Sequence, residues 1–270
     1  EYHFDAKSQL PLQLDPIAPA VHPKASFELM YRLGSKGYPL VVSPADAAQW
    51  TLAGLLAFAR TNEAWINARL LAHGVVLFRG FHHAVQTPAD FEKFSLALAP
   101  HLENVYLGTS PRHLWPGLSF VHTASEFPSW RVIPPHCEMS FRRTPPTRIL
   151  FFALQPPTRA QQYGRERRGG ETPLIDFEAV ARDLSETAAG RRFRDRDVRY
   201  IRHYYDDSAP WWSLAHRFDP LKTKSWQVMF NATEWGVAHR AALEQGFAPT
   251  WTVSGEGAGT YRLLKLVHTM

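Results

Sequence analysis

Short apolar runs, set apart by Pro-, Gly- and charge-containing stretches, define the elements this chain predicts. Val75-Val76-Leu77-Phe78-Arg79 reads as a short strand, and Ile149 to Leu154 as a strongly apolar one. Val198 to Tyr205 alternates as a strand does, and Leu174-Ile175 is a shorter run leading to Asp176. Between them lie helical stretches with recognisable ends. Ser43-Pro44 predicts a helix start, a hydroxyl cap followed by Pro at the first helical position, with the helix running to about Arg60. A second helix, Asn62 to His73, is predicted to stop at Gly74. Thr87-Pro88-Ala89-Asp90 resembles a capping box opening a helix to about Ala99. Asp176 is a plausible cap for a helix over 177–186, and Thr233 to Gln245, before Gly246, predicts another. Residues 1–42 are Pro-rich and predict an irregular arm, leaving 43–270 as one mixed domain of helices packed on a β core.

Composition narrows the class only a little. The 270 residues are 45% hydrophobic and 20% charged, which suits a soluble globular chain with a substantial core. The net charge of +5 is spread along the sequence, with one local cluster at 159–168. A nucleic-acid binder concentrates its charge on one face, so the pattern argues against nucleic acid and fits an anionic small molecule. No run approaches the roughly 18 apolar residues of a membrane span, and the N-terminus lacks a signal-peptide pattern. The one cysteine, Cys137, cannot form an internal disulfide, which suits a reducing cytoplasm.

The stretch Pro134-Pro135-His136-Cys137-Glu138-Met139-Ser140-Phe141 carries the chemistry. If 136–141 is a strand, His136 and Glu138 share one face and Cys137 packs on the other. An imidazole and a carboxylate so placed can share one metal ion, and two histidines with one carboxylate leave three positions open for non-haem Fe(II) oxygen chemistry. By spacing alone a surface strand with two polar residues is the better explanation of the pattern. About 30 residues on, Gly169-Gly170-Glu171-Thr172-Pro173 offers paired glycines and a hydroxyl to an oxyanion.

These blocks in this order resemble the TauD/TfdA family of Fe(II)/2-oxoglutarate dioxygenases, and its clavaminate synthase-like branch in particular. The likeness rests on Gly74-Val75-Val76-Leu77-Phe78-Arg79-Gly80-Phe81, Thr109-Ser110-Pro111-Arg112 and Thr123-Ala124-Ser125-Glu126-Phe127-Pro128. The His136 block, the Gly169 block and Ser225-Trp226-Gln227-Val228-Met229-Phe230 continue it in order, so that it runs from about residue 40 to the end.

The resemblance implies a double-stranded β-helix (jelly roll, cupin-like) core with flanking helices. It implies Fe(II), 2-oxoglutarate and O2 as cofactor and cosubstrates, and an oxidoreductase that decarboxylates 2-oxoglutarate to succinate while hydroxylating a small molecule, an amino acid or natural-product intermediate. His136 and Glu138 match the metal ligands, and Thr172 the threonine that hydrogen-bonds 2-oxoglutarate. Glu138 stands where the halogenases of the superfamily lack a carboxylate, which favours hydroxylation. The family's distal His and 2-oxoglutarate-binding Arg lie beyond the block matching 225–267, so the 43–270 domain is expected to lack the C-terminal part of the fold. His268 and His239 are the internal substitutes for the third ligand, one near the chain end and one inside a predicted helix. Arg112 stands as a candidate near the substrate, and Arg165, Arg167 and Arg168 as a candidate lid over an anionic substrate. The alternative function is a non-catalytic β-helix protein that binds a ligand or partner, its distal metal site lost.

Overall fold

The computed structural model describes residues 29–33, 39–104, 106, 108, 110, 112–124, 133–155, 172–194, 196–209, 224–254 and 261–269. The chain divides into two compact units, one formed by residues 1–104, 115–121 and 152–155, the other by 105–114, 122–151 and 156–270.

In the first unit strand β1 (Leu29–Leu33) runs antiparallel to β2 (Leu40–Pro44), which in turn pairs in parallel with β3 (Val76–Phe78). Part of the stretch expected to be irregular is thus sheet. A parallel pair needs a long crossover, and helices α1 (Leu52–Thr61) and α2 (Glu63–His73) supply it. The helix expected at Ser43-Pro44 starts later. Pro44 still belongs to β2, a single tight turn spans Ala47–Gln49, and Thr51 caps α1 by accepting from Gly54 N at 3.2 Å. The reason is tertiary: β2 is the central strand, and Leu40, Val41 and Val42 are buried. Asn62 joins the two helices, and Gly74, at φ +67°, ends α2 as expected.

Helix α3 (Pro88–Leu98) opens on the capping box that its sequence predicts: Thr87 Oγ1 accepts from Asp90 N at 3.1 Å, and Asp90 Oδ2 accepts from Thr87 N at 3.0 Å. Thr87→Ala should cost about 1 kcal/mol of stability, readable as a lower denaturant midpoint at unchanged slope. The core of this unit joins Leu40, Val42, Leu55, Ala59, Ile66 and Phe94 to Trp50, which meets Phe81 edge-on at 5.2 Å between ring centres.

In the second unit, helices α4 (Phe177–Ser185) and α5 (Ala188–Arg194) precede strand β4 (Arg199–Tyr204). Asp176 caps α4 through the backbone N–H groups of Glu178 and Ala179, as its sequence predicts. Helix α6 (Trp226–Phe230) and helix α7 (Trp235–Glu244) lead to β5 (Ala248–Ser254) and β6 (Tyr261–Thr269). The strands lie in the order β4-β6-β5, both pairs antiparallel. Leu264 and Leu266 of β6 and Tyr204 of β4 are buried with Trp226, Met229, Ala238, Ala242 and Phe247. Asp206, just past β4, ties this layer together. Its carboxylate accepts from Ser208 Oγ and Gln227 Nε2, both at 2.6 Å, from Ser208 N at 3.0 Å and from Arg262 N at 2.8 Å.

The mixed α+β class is as expected. The jelly roll is not what the described strands build: they form two separate three-stranded sheets. Two predicted strands are also absent. Residues 138–141 turn, and 149–153 run without ladder partners.

Candidate metal and anion site

A turn, rather than the expected strand, sets the geometry of the His136–Glu138 stretch. Ser140 N donates to Cys137 O at 3.3 Å, Arg142 N donates to Met139 O at 3.0 Å, and Met139 adopts φ +51°. A left-handed conformation is uncommon for a side chain of this kind, and the buried Met139 is held in it by the turn around it. Cys137 is exposed rather than packed on a far face. His136 and Glu138 therefore approach one another across a turn, not along a pleat.

Their chemistry suits a shared cation. His136 Nδ1 lies 2.8 Å from the carbonyl oxygen of Pro134. A carbonyl only accepts, so Nδ1 carries the hydrogen and, in the neutral ring, Nε2 keeps its lone pair. That nitrogen stands 3.7 Å from Glu138 Oε2. A backbone carbonyl on the outer ring nitrogen is the usual orienting partner of a metal-binding histidine. The imidazole is half-exposed, whereas the Glu138 side chain is only 15% exposed.

Glu138 is held from its other side. Arg112 Nη2 donates to its Oε2 at 2.9 Å, and Tyr106 OH donates to its Oε1 at 3.3 Å. Burial pushes the Tyr106 phenol up from its ordinary value, and the Glu138 carboxylate beside it adds to the rise, so Tyr106 remains a neutral donor. The face of the Tyr106 ring carries the Arg112 guanidinium at 4.6 Å and Lys224 Nζ at 5.1 Å. Lys224, the residue ahead of the Ser225 cap of α6, donates to Gly108 O at 3.3 Å. Burial, followed by the charges of Arg112 and Arg202, lowers the Lys224 pKa.

The other expected site residues are placed less closely. Thr172 is exposed in the segment before α4 and makes no hydrogen bond to the pair among the described residues. His239 lies on α7 and its Nδ1 accepts from Trp251 Nε1 at 3.0 Å. His268, buried on β6, sets its ring edge-on to Phe247 at 5.9 Å. No group of three His, Cys, Asp or Glu able to hold an ion forms among the described residues, so neither histidine joins His136 and Glu138. A helix surface and a strand paired to β4 hold them elsewhere. Arg165, Arg167 and Arg168 lie outside the described residues, as do Gly169, Gly170 and Glu171.

Residues 39–256 match the family model described as taurine catabolism dioxygenase TauD, TfdA family. The chain belongs to the TauD/TfdA family. It is 27% identical to a clavaminate synthase-like protein of Arabidopsis thaliana over 236 residues, 84% of this chain and 64% of that protein. It is 30% identical to the dapdiamide synthesis protein DdaC of Enterobacter agglomerans over 139 residues, 52% of this chain and 38% of that protein. The chain thus spans less than two thirds of the length of either relative.

For this TauD/TfdA-family chain, sequence reasoning missed Tyr106, Arg202 and Lys224. Arg202 had a legible signal: it shares a strand face with Tyr204, two residues on, in the alternating run 198–205. Tyr106 and Lys224 meet Glu138 and Arg112 only through tertiary folding.

Proposed function

We propose that this chain is the catalytic part of a non-haem Fe(II)/2-oxoglutarate-dependent oxygenase that hydroxylates a small molecule, an amino acid or a natural-product intermediate. The observation that carries this reading is the His136 Nε2 lone pair facing the Glu138 carboxylate at 3.7 Å in a TauD/TfdA-family chain. A neutral imidazole and a carboxylate suit Fe(II), and no third His, Cys, Asp or Glu groups with them among the described residues. When bound, iron and 2-oxoglutarate supply the activation of O2, coupled to decarboxylation of the keto acid to succinate.

The chain's own residues prepare that chemistry. The Pro134 carbonyl fixes the His136 tautomer, and the ring is thereby aimed at Glu138. Arg112 and Tyr106 orient the carboxylate by donating to both of its oxygens. Thr172 is assigned to the anionic cosubstrate on the family match, and Arg165, Arg167 and Arg168 to the anionic substrate on their charge.

The test is succinate formation from 2-oxoglutarate by the intact protein, with Fe(II) and a panel of amino acids and amino-acid-derived compounds. Succinate release that depends on Fe(II) and O2 and rises with one class of compound is expected. Absence of both iron binding and succinate release in the intact protein would overturn the reading in favour of a non-catalytic binding protein.

A further inference from the structure

Beside the His136–Glu138 pair the chain gathers more positive charge than it neutralises. Arg112 is paired to Glu138, and the neighbouring cations Lys224 and Arg202 have no carboxylate partner among the described residues. Arg202 is the telling one. It leaves β4 with its guanidinium carbon 3.9 Å from the centre of the Phe141 ring and 5.1 Å from that of Tyr204. Both of its terminal nitrogens are buried, and neither has a hydrogen-bond partner among the described residues. The Tyr204 hydroxyl is likewise buried without a partner among them.

A buried guanidinium with no acceptor is among the costlier arrangements a fold can keep. Native structures almost always satisfy such groups, with protein, ordered water or ligand, so an orphaned set at one place is a candidate seat for an oxygen-bearing ligand. Burial lowers the Arg202 pKa, yet a guanidinium starts so high that the group stays charged. Its fork matches a planar carboxylate bidentately, and the Phe141 and Tyr204 rings offer an apolar wall next to it. Lys224, which feels the charge of Arg202, adds a second cation to the same anion. A metal ion at His136 and Glu138 would raise the local positive charge further, beyond what one dianionic cosubstrate offsets.

We propose that Arg202, with Lys224 and the Tyr204 hydroxyl, seats a carboxylate of the organic substrate, next to the metal pair and separate from the 2-oxoglutarate site. The proposal deepens the oxygenase reading above, since the site is the same. It makes the substrate an anionic molecule with an apolar or aromatic portion next to its carboxylate.

The experiment measures binding rather than turnover. Benzoate and N-acetylalanine serve as carboxylate probes for the metal-free protein, with benzamide as the uncharged control and inorganic phosphate as the rival oxyanion, all by calorimetry. Binding of the two carboxylates and not of benzamide is expected, and Arg202→Met and Lys224→Met should each weaken it about 10-fold, the size of one charge-assisted hydrogen bond. Failure of both carboxylates to bind the wild-type protein, or tighter binding of phosphate, overturns the assignment. Affinity for 2-oxoglutarate, measured on the Fe(II)-loaded protein without O2, should be unchanged in Arg202→Met. A loss there equal to the loss for benzoate would give Arg202 to the cosubstrate instead. Arg202→Met should also raise Tm, because it removes an unsatisfied buried charge; a lower Tm would mark Arg202 as structural and sink the proposal. Carboxylate binding that persists while succinate formation is absent would separate failure of the oxygenase reading from failure of this one.

Discussion

His136→Ala lowers the affinity of the protein for Fe(II) by at least about 100-fold, and Glu138→Ala does the same. Partners one step removed from a metal already cost 10–100-fold when they are lost, so loss of a direct donor sets a floor above that range. The effect is measured as a dissociation constant without O2, and independently as Fe(II)-dependent succinate formation. The two variants should differ in stability. His136 is half-exposed and makes one hydrogen bond through its ring, so its removal should leave Tm nearly unchanged. Glu138 is mostly buried, and its loss removes the oxygens to which Arg112 Nη2 and the Tyr106 hydroxyl donate. Glu138→Ala should therefore also lower Tm, and Glu138→Gln, which keeps one accepting oxygen for Arg112 or Tyr106, should recover part of that while binding iron poorly. Unchanged iron affinity in both alanine variants would remove His136 and Glu138 from the metal site.

Asp206→Ala should destabilise the chain by at least about 3 kcal/mol. Four hydrogen bonds converge on this carboxylate, and bonds to a charged acceptor contribute about 1.5–3 kcal/mol each, though not additively. The same contacts give stability a pH dependence. Burial by itself would raise the Asp206 pKa, but the bonds from Ser208, Arg262 N and Gln227 outweigh it and hold the carboxyl below the usual aspartate range. A depressed carboxylate pKa contributes stability that is complete above the unfolded value of about 3.9 and is lost as pH falls through the folded value. Denaturant titrations below about pH 4 should thus show the wild type losing stability, and Asp206→Asn, starting lower, should show a shallower loss. Parallel curves for the two proteins would mean that Asp206 does not carry this dependence.

Helix ends were the most legible part of the fold. Thr87 and Asp90, Asp176, and the glycines after His73 and Gln245 act locally, through bonds to backbone a few residues away, and each stands where its neighbours in sequence require. Strands were less legible. Ile149 to Leu154 is apolar enough for a strand, yet a strand exists only when another backbone pairs with it, and no pattern within the segment reveals that partner. Pro44 shows the same competition from the other side. Its fit to a first helical turn was overridden by the pairing of β2 with β1 and β3.

The candidate site divides along the same line. Sequence by itself determined the family, through an ordered set of blocks, and singled out His136 and Glu138 as the pair proposed to hold the metal, because residue type and order survive without coordinates. Only the tertiary structure decided what surrounds the pair. Arg112 is 26 residues from Glu138, Tyr106 is 32, and Lys224 reaches back across 116 residues to Gly108. The physical reason is that charge and burial are properties of a place in three dimensions. Arg202 is an ordinary strand arginine in the sequence. It becomes a buried, unsatisfied cation only because β4, the 138–141 turn and the segment before α6 converge on it.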